Sequence, residues 1–298
     1  MTAFSFTKAT KRQARLRMAL IGPSGSGKTY SALAIASAMA PSGKIAVIDT
    51  ERGSASKYAG IFAFDVLELE TFAPETYAQA IAAADAAGYD VLIIDSLSHA
   101  WFGKDGALEQ VDRAAKRSSS QNSFTAWREV TPHHNAMIDA ILQCKAHVIV
   151  TMRAKTEYVM ETNEKGKSVP RKVGLAPVQR DGLEYEFDVV ADMNLDNDLI
   201  VSKSRCPAMS GQVVNKPGEN VAKILMTWLT DGAPQPQPEP MTLETALALK
   251  NSHGIAYGDM DDETLMKIIA HASTPKERRE AAKLIIADRT AEDEGNQP

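Results

Sequence analysis

Hydrophobic positions along this chain follow two alternating rhythms. Between Leu16 and Leu229, short continuous apolar runs alternate with segments where apolar residues recur every three or four positions. The runs Leu16–Ile21, Ile45–Thr50, Val91–Asp95 and His147–Thr151 predict strands without a polar face, the mark of a parallel sheet buried on both sides. Tyr30–Met39, Pro74–Ala87, His133–Gln143 and Asn220–Leu229 predict helices. Pro41–Lys44 reads as a turn, Pro74 opens the second helix and Gly88 closes it, and Thr131-Pro132 opens the third. Phe187–Asn194 and Asp198–Lys203 predict a hairpin around a tight turn at Leu195–Asp198. The expected architecture is α/β: a mainly parallel sheet between helices, with a terminal β-hairpin.

The rhythm breaks at Gly232. GAPQPQPEP carries four prolines and reads as an extended linker. Beyond it, ETALALKNSHGI and DETLMKIIAHA have helical spacing, and a last helix is expected from about Pro275 to Asp288. The domain reading is a core over residues 1–230, a Pro-rich linker over 231–241, a small helical module over 242–290 and a disordered acidic tail over 291–298.

Composition narrows the class. The 298 residues are 44% apolar and 24% charged, which excludes a disordered or fibrous chain. No apolar run approaches the roughly 20 residues that span a bilayer, and the basic N-terminus lacks a signal-peptide core. A cytoplasmic protein with no membrane partner is expected. Cys144 and Cys206, without CxxC spacing, read as free thiols, and the histidines lack metal-ligand spacing. The net charge is −5, but residues 231–298 alone carry −6, so the rest is nearly neutral and compatible with a nucleic-acid partner.

Chemistry enters at Gly22–Thr29, GPSGSGKT, which fits G-x-x-x-x-G-K-[ST] between a strand and an alanine-rich helix. Gly22, Pro23, Ser24, Gly25, Ser26, Gly27, Lys28, Thr29 and the following Tyr30 are the candidate nucleotide-binding residues. Backbone N–H groups and the helix dipole suit a phosphate, and Lys28 suits the β- and γ-phosphates. The Thr29 hydroxyl and Asp95, at the end of VLIIDS, suit Mg²⁺. In IDTE, both Asp49 and Glu51 are placed to act on a water in line with the γ-phosphate. Spacing does not choose between them, and one of them could merely cap the loop RGSAS.

The order GPSGSGKT, IDTE, VLIIDS, HVIVTMR resembles the RecA-like ATPase core. That resemblance implies ATP as substrate with Mg²⁺, Glu51 as the catalytic residue that activates water, and a polar sensor at Thr151, where RecA has glutamine. LIVSKSRC resembles the late strand whose basic pair, here Lys203 and Arg205, reaches the γ-phosphate of a neighbouring subunit, which implies a homo-oligomer, ring or filament. TMRAKTEY, KVGLAPVQRDGLEYEFDVV and SKSRC make the chain most similar to phage-encoded, Sak-type ATPases of the single-strand annealing and recombination group. The likeness covers about residues 15–230. It implies host-cell cytoplasm and a single-strand-binding protein as a further partner.

Arg153–Arg180 carries Arg153, Lys155, Lys165, Lys167, Arg171, Lys172 and Arg180 against three acids. It reads as a flexible basic loop after the sensor strand that contacts single-stranded DNA, with Tyr158 available to stack on a base. Arg113–Arg128, with Phe124 and Trp127, reads as a second DNA loop or a lid over nucleotide, unless Trp127 is core. The run Lys8, Lys11, Arg12, Arg15, Arg17 suits DNA or a neighbouring subunit. The expected function is an ATP-dependent single-stranded-DNA-binding recombination or annealing protein. The alternatives are a ring helicase or loader on the same core, an ATP-binding switch that anneals without turnover, and, less favoured, a small-molecule kinase.

Overall fold

In the computed structural model, which describes residues 10, 13–117, 122–162, 168–232, 241–251, 254–271 and 274–295, the apolar runs form the centre of one sheet. β1 (Arg17–Gly22) pairs in parallel with β5 (His147–Thr162) on one side and β7 (Val189–Met193) on the other. Beyond β5 lie β4 (Val91–Asp95), β2 (Ile45–Asp49) and the edge strand β3 (Asp65–Glu68), all parallel. Beyond β7, β8 (Asp198–Ser204) pairs antiparallel with it and β9 (Val213–Asn215) antiparallel with β8, giving the order β3-β2-β4-β5-β1-β7-β8-β9. The hairpin turn is held by the Asn194 side chain, which accepts the N–H groups of Asp196 and Asp198.

Alternate residues of the strands enter two cores. Met18 and Leu20 of β1 join residues of α1 (Lys28–Met39) and α6 (Glu219–Thr230) on one face. Ala19 and Ile21 join residues of α2 (Pro74–Ala87) and α5 (Ser123–Gln143) on the other. This two-sided burial is why the strands read as continuous apolar runs. Between β4 and α5 lie the single turn α3 (His99–Phe102) and α4 (Ala107–Arg117).

Three elements differ from expectation. The helix predicted from His133 begins at Ser123, capped by Asn122, which accepts the Phe124 N–H, and it carries Pro132 inside. The proline removes only the bond to the Arg128 carbonyl, at an exposed position, so the helix continues through it. β5 does not end at Thr151. Past Arg153 it leaves the main sheet and pairs antiparallel with β6 (Ser168–Pro177), from Ala154↔Pro177 to Thr162↔Ser168. The expected basic loop is therefore a β-hairpin, favoured by the β-branched and aromatic residues of TEYVMET. β3 was not predicted because all four residues are exposed, so it shows no buried run.

The chain divides into two compact units, 1–234 and 235–298. Residues 233–240, most of the expected linker, lie outside the described residues. In the second unit, α7 (Leu243–Ala248), α8 (Asp262–Ala270) and α9 (Lys276–Gly295) close on a small core of Ala246, Tyr257, Leu265, Ala281 and Ile285. α9 runs past the expected end at Asp288. Residues 291–295 of the expected disordered tail are helical, consistent with their alanine and glutamates, and 296–298 lie outside the described residues. Among the described residues no helix is long and apolar enough to cross a membrane.

Candidate nucleotide site

The strand ends of β1, β2, β4 and β5 converge on a pocket of about 480 Å³ lined by the phosphate loop, Glu51, Tyr58, Asp95 and Arg153. Gly25 and Gly27 both have φ +83°, a left-handed backbone that side chains resist, and this lets residues 22–28 curl back over the start of α1. The Ser26 hydroxyl donates to the Pro23 carbonyl and fixes the curl from inside. Lys28 Nζ donates to the carbonyls of Gly22 at 2.9 Å and Pro23 at 2.8 Å, and burial lowers its pKa. A phosphate here would exchange those neutral partners for anionic ones.

Asp95 is the buried acid of the site. Its Oδ2 accepts the Thr29 hydroxyl at 2.6 Å and its Oδ1 the Thr151 hydroxyl at 2.5 Å. Burial raises its pKa, against the pull of the two hydroxyls. A buried carboxylate beside a threonine hydroxyl, with no cation in an ion pair with it among the described residues, is a donor set suited to a hard divalent cation. Thr151, the sensor position that the resemblance implies, is buried at the end of its run, and its hydroxyl is donated to Asp95.

The two acids of IDTE differ in their hydrogen bonds. Asp49 accepts the backbone N–H groups of Glu51 at 2.6 Å and Ala55 at 3.0 Å, and is buried. It caps the loop. Glu51 opens into the pocket. There Arg153 Nη2 donates to both its oxygens, at 2.9 and 2.7 Å, and Nε donates at 3.1 Å. Burial works to raise the Glu51 pKa, but the Arg153 hydrogen bonds and charge, with His99 3.9 Å away, bring it below the ordinary carboxylate value. Arg153, expected at DNA, is thus the partner of the candidate base.

The sequence reading missed two contributors, His99 and Tyr58. His99 bonds Thr50 through Nδ1 at 2.7 Å and stacks on Phe72 beside Glu51. Tyr58 and Tyr30 pack edge to face at the pocket mouth, with Tyr30 44% exposed. Neither Tyr58 nor His99 belongs to a spacing motif, so only the fold brings them in.

The remaining basic candidates scatter. Lys155 lies on β5, and Arg171 and Lys172 lie on β6 in register with Val159 and Tyr158. Lys165 and Lys167 lie outside the described residues. Arg180 stands 6.0 Å over the Trp127 ring. Because β8 is antiparallel, Lys203 and Arg205 fall at the amino end of β1 and β7, the opposite end of the sheet from their own phosphate loop. Lys203 Nζ donates to the carbonyls of Glu184, Tyr185 and Phe187, and Arg205 pairs with Asp188 at 3.1 Å. The resemblance places both at a neighbour's γ-phosphate; the bonds they make here are all within the chain.

A phosphate loop on a parallel sheet, with a buried strand-end aspartate beside it, defines a P-loop ATPase core. The family model described as AAA domain matches residues 14–232, and the chain belongs to that family. Protein RecA of Frankia alni (strain DSM 45986 / CECT 9034 / ACN14a) is 38% identical over 84 residues, which are 26% of this chain and 24% of that protein's length. The crystal structure of the RadB recombinase is similar at 16% identity and a TM-score of 0.36, over 68% of this chain and 87% of that one.

Proposed function

We propose that this chain is a Mg²⁺-dependent ATPase acting on single-stranded DNA in recombination or annealing, as a homo-oligomer. The observation that carries the reading is Glu51 in the phosphate-loop pocket, clamped by Arg153, the residue from which β5 leaves the sheet for its basic hairpin. A ligand on that hairpin has a direct mechanical route to the base. The identity to RecA and the stretches TMRAKTEY and SKSRC support the recombination and annealing assignment.

In this reading the loop Gly22–Thr29 cradles the phosphates, and Tyr30 with Tyr58 flanks the base. Thr29 and Asp95 hold Mg²⁺, which supplies charge neutralisation at the phosphates. Thr151 keeps Asp95 oriented. Glu51 takes the proton of the attacking water once Arg153 releases it, because a carboxylate in a bidentate ion pair is a weakened base. Lys155, Arg171 and Lys172 contact DNA phosphates in a salt-sensitive manner.

The test is ATP hydrolysis by the full chain with Mg²⁺, with and without a deoxythymidine oligonucleotide. Glu51→Gln is expected to lower the rate about 10²- to 10⁴-fold and to keep nucleotide binding. Wild-type turnover in that variant overturns the assignment of the base. The Arg153–Glu51 pair also favours a second reading, an ATP-binding switch with the base held off. Annealing that survives in Glu51→Gln without hydrolysis would select it.

A further inference from the structure

The two basic segments that look separate in sequence meet in space. α5 and the turn after β6 enclose a groove of about 600 Å³ lined by Trp101, Phe124, Trp127, Arg128, Pro132 and Arg180. Trp101 and Trp127 stack at 5.4 Å with their planes 22° apart. Arg180 lies over the Trp127 ring, and Phe124 is 79% exposed. The nearby Arg113 and Arg117 are paired with Asp105 and Glu129. Among the described residues, no carboxylate pairs with Arg128 or Arg180. The groove therefore offers flat apolar faces next to two guanidinium groups that no carboxylate among the described residues neutralises.

Such a surface fits a ligand that is flat, unpaired and anionic along its length. We infer that this groove binds unpaired nucleobases of a single strand, with Phe124 as the stacking face, the Trp101–Trp127 stack as the wall beside it, and Arg128 and Arg180 on the adjoining phosphates. The inference rests on the DNA reading above and gives it a place. A duplex hides its base faces, so the groove selects single strands by shape and is tolerant of sequence. It also connects to the pocket. Trp101 belongs to the single turn α3, which sets His99 beside Glu51 and the Phe102 ring 5.5 Å from the Arg153 guanidinium. Gln179, next to Arg180, is buried and donates to the Leu97 carbonyl just past β4. A base seated in the groove thus presses on elements that hold the base–guanidinium clamp.

The experiment is equilibrium binding of a labelled deoxythymidine oligonucleotide to the full chain at low salt without nucleotide, alongside an abasic oligonucleotide of equal length. Tryptophan emission is followed in parallel. Phe124 projects into solvent, so Phe124→Ala does not threaten the core. The expected results are quenching by the thymidine strand and not by the abasic one, and a roughly 5- to 100-fold weaker affinity for thymidine in Phe124→Ala. Affinity for the abasic strand is expected to be unchanged in that variant. Equal thymidine affinity and equal quenching in Phe124→Ala, equal binding of the two strands, or no binding of either overturns the groove. DNA-stimulated hydrolysis with an insensitive Phe124→Ala overturns the groove alone. Phe124-dependent binding with hydrolysis indifferent to DNA counts against the coupling of hydrolysis to DNA in the proposed function and leaves the groove standing.

Discussion

The two ends of the sheet use charge in opposite ways. At the carboxyl ends of β1, β2, β4 and β5, the charged residues face a pocket: Lys28, Glu51 and Asp95 line it, and their present partners are ones a ligand can replace. At the amino ends, the cations are spent on the chain's own backbone. The buried Arg17 guanidinium donates to the carbonyls of Leu16, Leu142, Cys144 and Ala146, stitching the end of α5 to β1 and β5. Lys203 does the same for the turn before β7. A parallel sheet enforces this division. Its carboxyl ends feed loops into helix N-termini that attract anions, and its amino ends receive helix C-termini whose bare carbonyls attract cations. Charge alone therefore does not mark function; the end of the sheet does.

The largest effect that would test this contrast is at Lys28. Lys28→Ala is expected to lower hydrolysis at least about 10²- to 10³-fold, because a donor aimed at developing phosphate charge is lost. Stability should hardly change, since burial already works against the Lys28 charge and the carbonyls it leaves open onto the pocket. Kinetics paired with thermal melting checks both halves. A large fall in melting temperature would make Lys28 as structural as Arg17 and break the comparison.

Arg17 is the mirror experiment. Arg17→Met fills the space but takes the guanidinium from four carbonyls, of which Leu16 keeps the Val148 N–H and those of Cys144 and Ala146 are buried, and about 2–5 kcal/mol of stability is expected to go. Denaturant unfolding measures it. The KM for ATP should stay unchanged, because the residue lies a full strand length from the phosphate loop.

These contrasts show how far the sequence could be read. The motif GPSGSGKT and the four apolar runs were legible because both depend on local chemistry: a backbone curl needs its glycines, and a doubly buried strand needs apolar residues throughout. Arg17 and Arg153 were not. Both read as basic residues suited to DNA or, for Arg17, a neighbouring subunit, and only the strand register decides what each meets within the chain. The hairpin β5–β6 was missed because its sequence, TEYVMETNEKGKSVPRK, lacks the continuous apolar run that marked the inner strands. Asp49 and Glu51 were legible as a pair, and the backbone bonds to Asp49 were needed to separate them.

A smaller effect separates the two ends by pH. His147, at the start of β5, accepts the Leu16 N–H at Nδ1, and the Arg15 guanidinium lies 3.1 Å from Nε2. Burial, then the charges of Arg15 and Arg17, push its pKa down to about 4. Above the unfolded value of about 6.5 both states are neutral and the residue adds no pH dependence. As pH falls from there, the unfolded chain takes up a proton that the folded chain refuses until about pH 4, so stability is lost across that window. The expected loss is about 3 kcal/mol. Denaturant unfolding at steps from pH 7 to about pH 4 measures it. His147→Gln should flatten the curve in that range; a curve with the same slope assigns the acid sensitivity elsewhere.

The smallest effect discriminates most sharply, because Lys203 has two incompatible jobs on offer. In the chain it ties the carbonyls of Glu184, Tyr185 and Phe187, and Lys203→Met should cost about 1–2 kcal/mol, moderated by its partial exposure. If that is its whole role, specific activity per folded molecule stays level. If it serves a neighbour's phosphate, activity falls steeply while stability moves no further than this. Mixing the variant with Lys28→Ala separates the cases. Each protein then lacks one half of a shared site, and mixed assemblies regain activity only when Lys203 acts across an interface: a Lys28-bearing subunit meets the intact Lys203 of its neighbour. No regain, with the stability loss as expected, assigns Lys203 to the amino end of its own sheet.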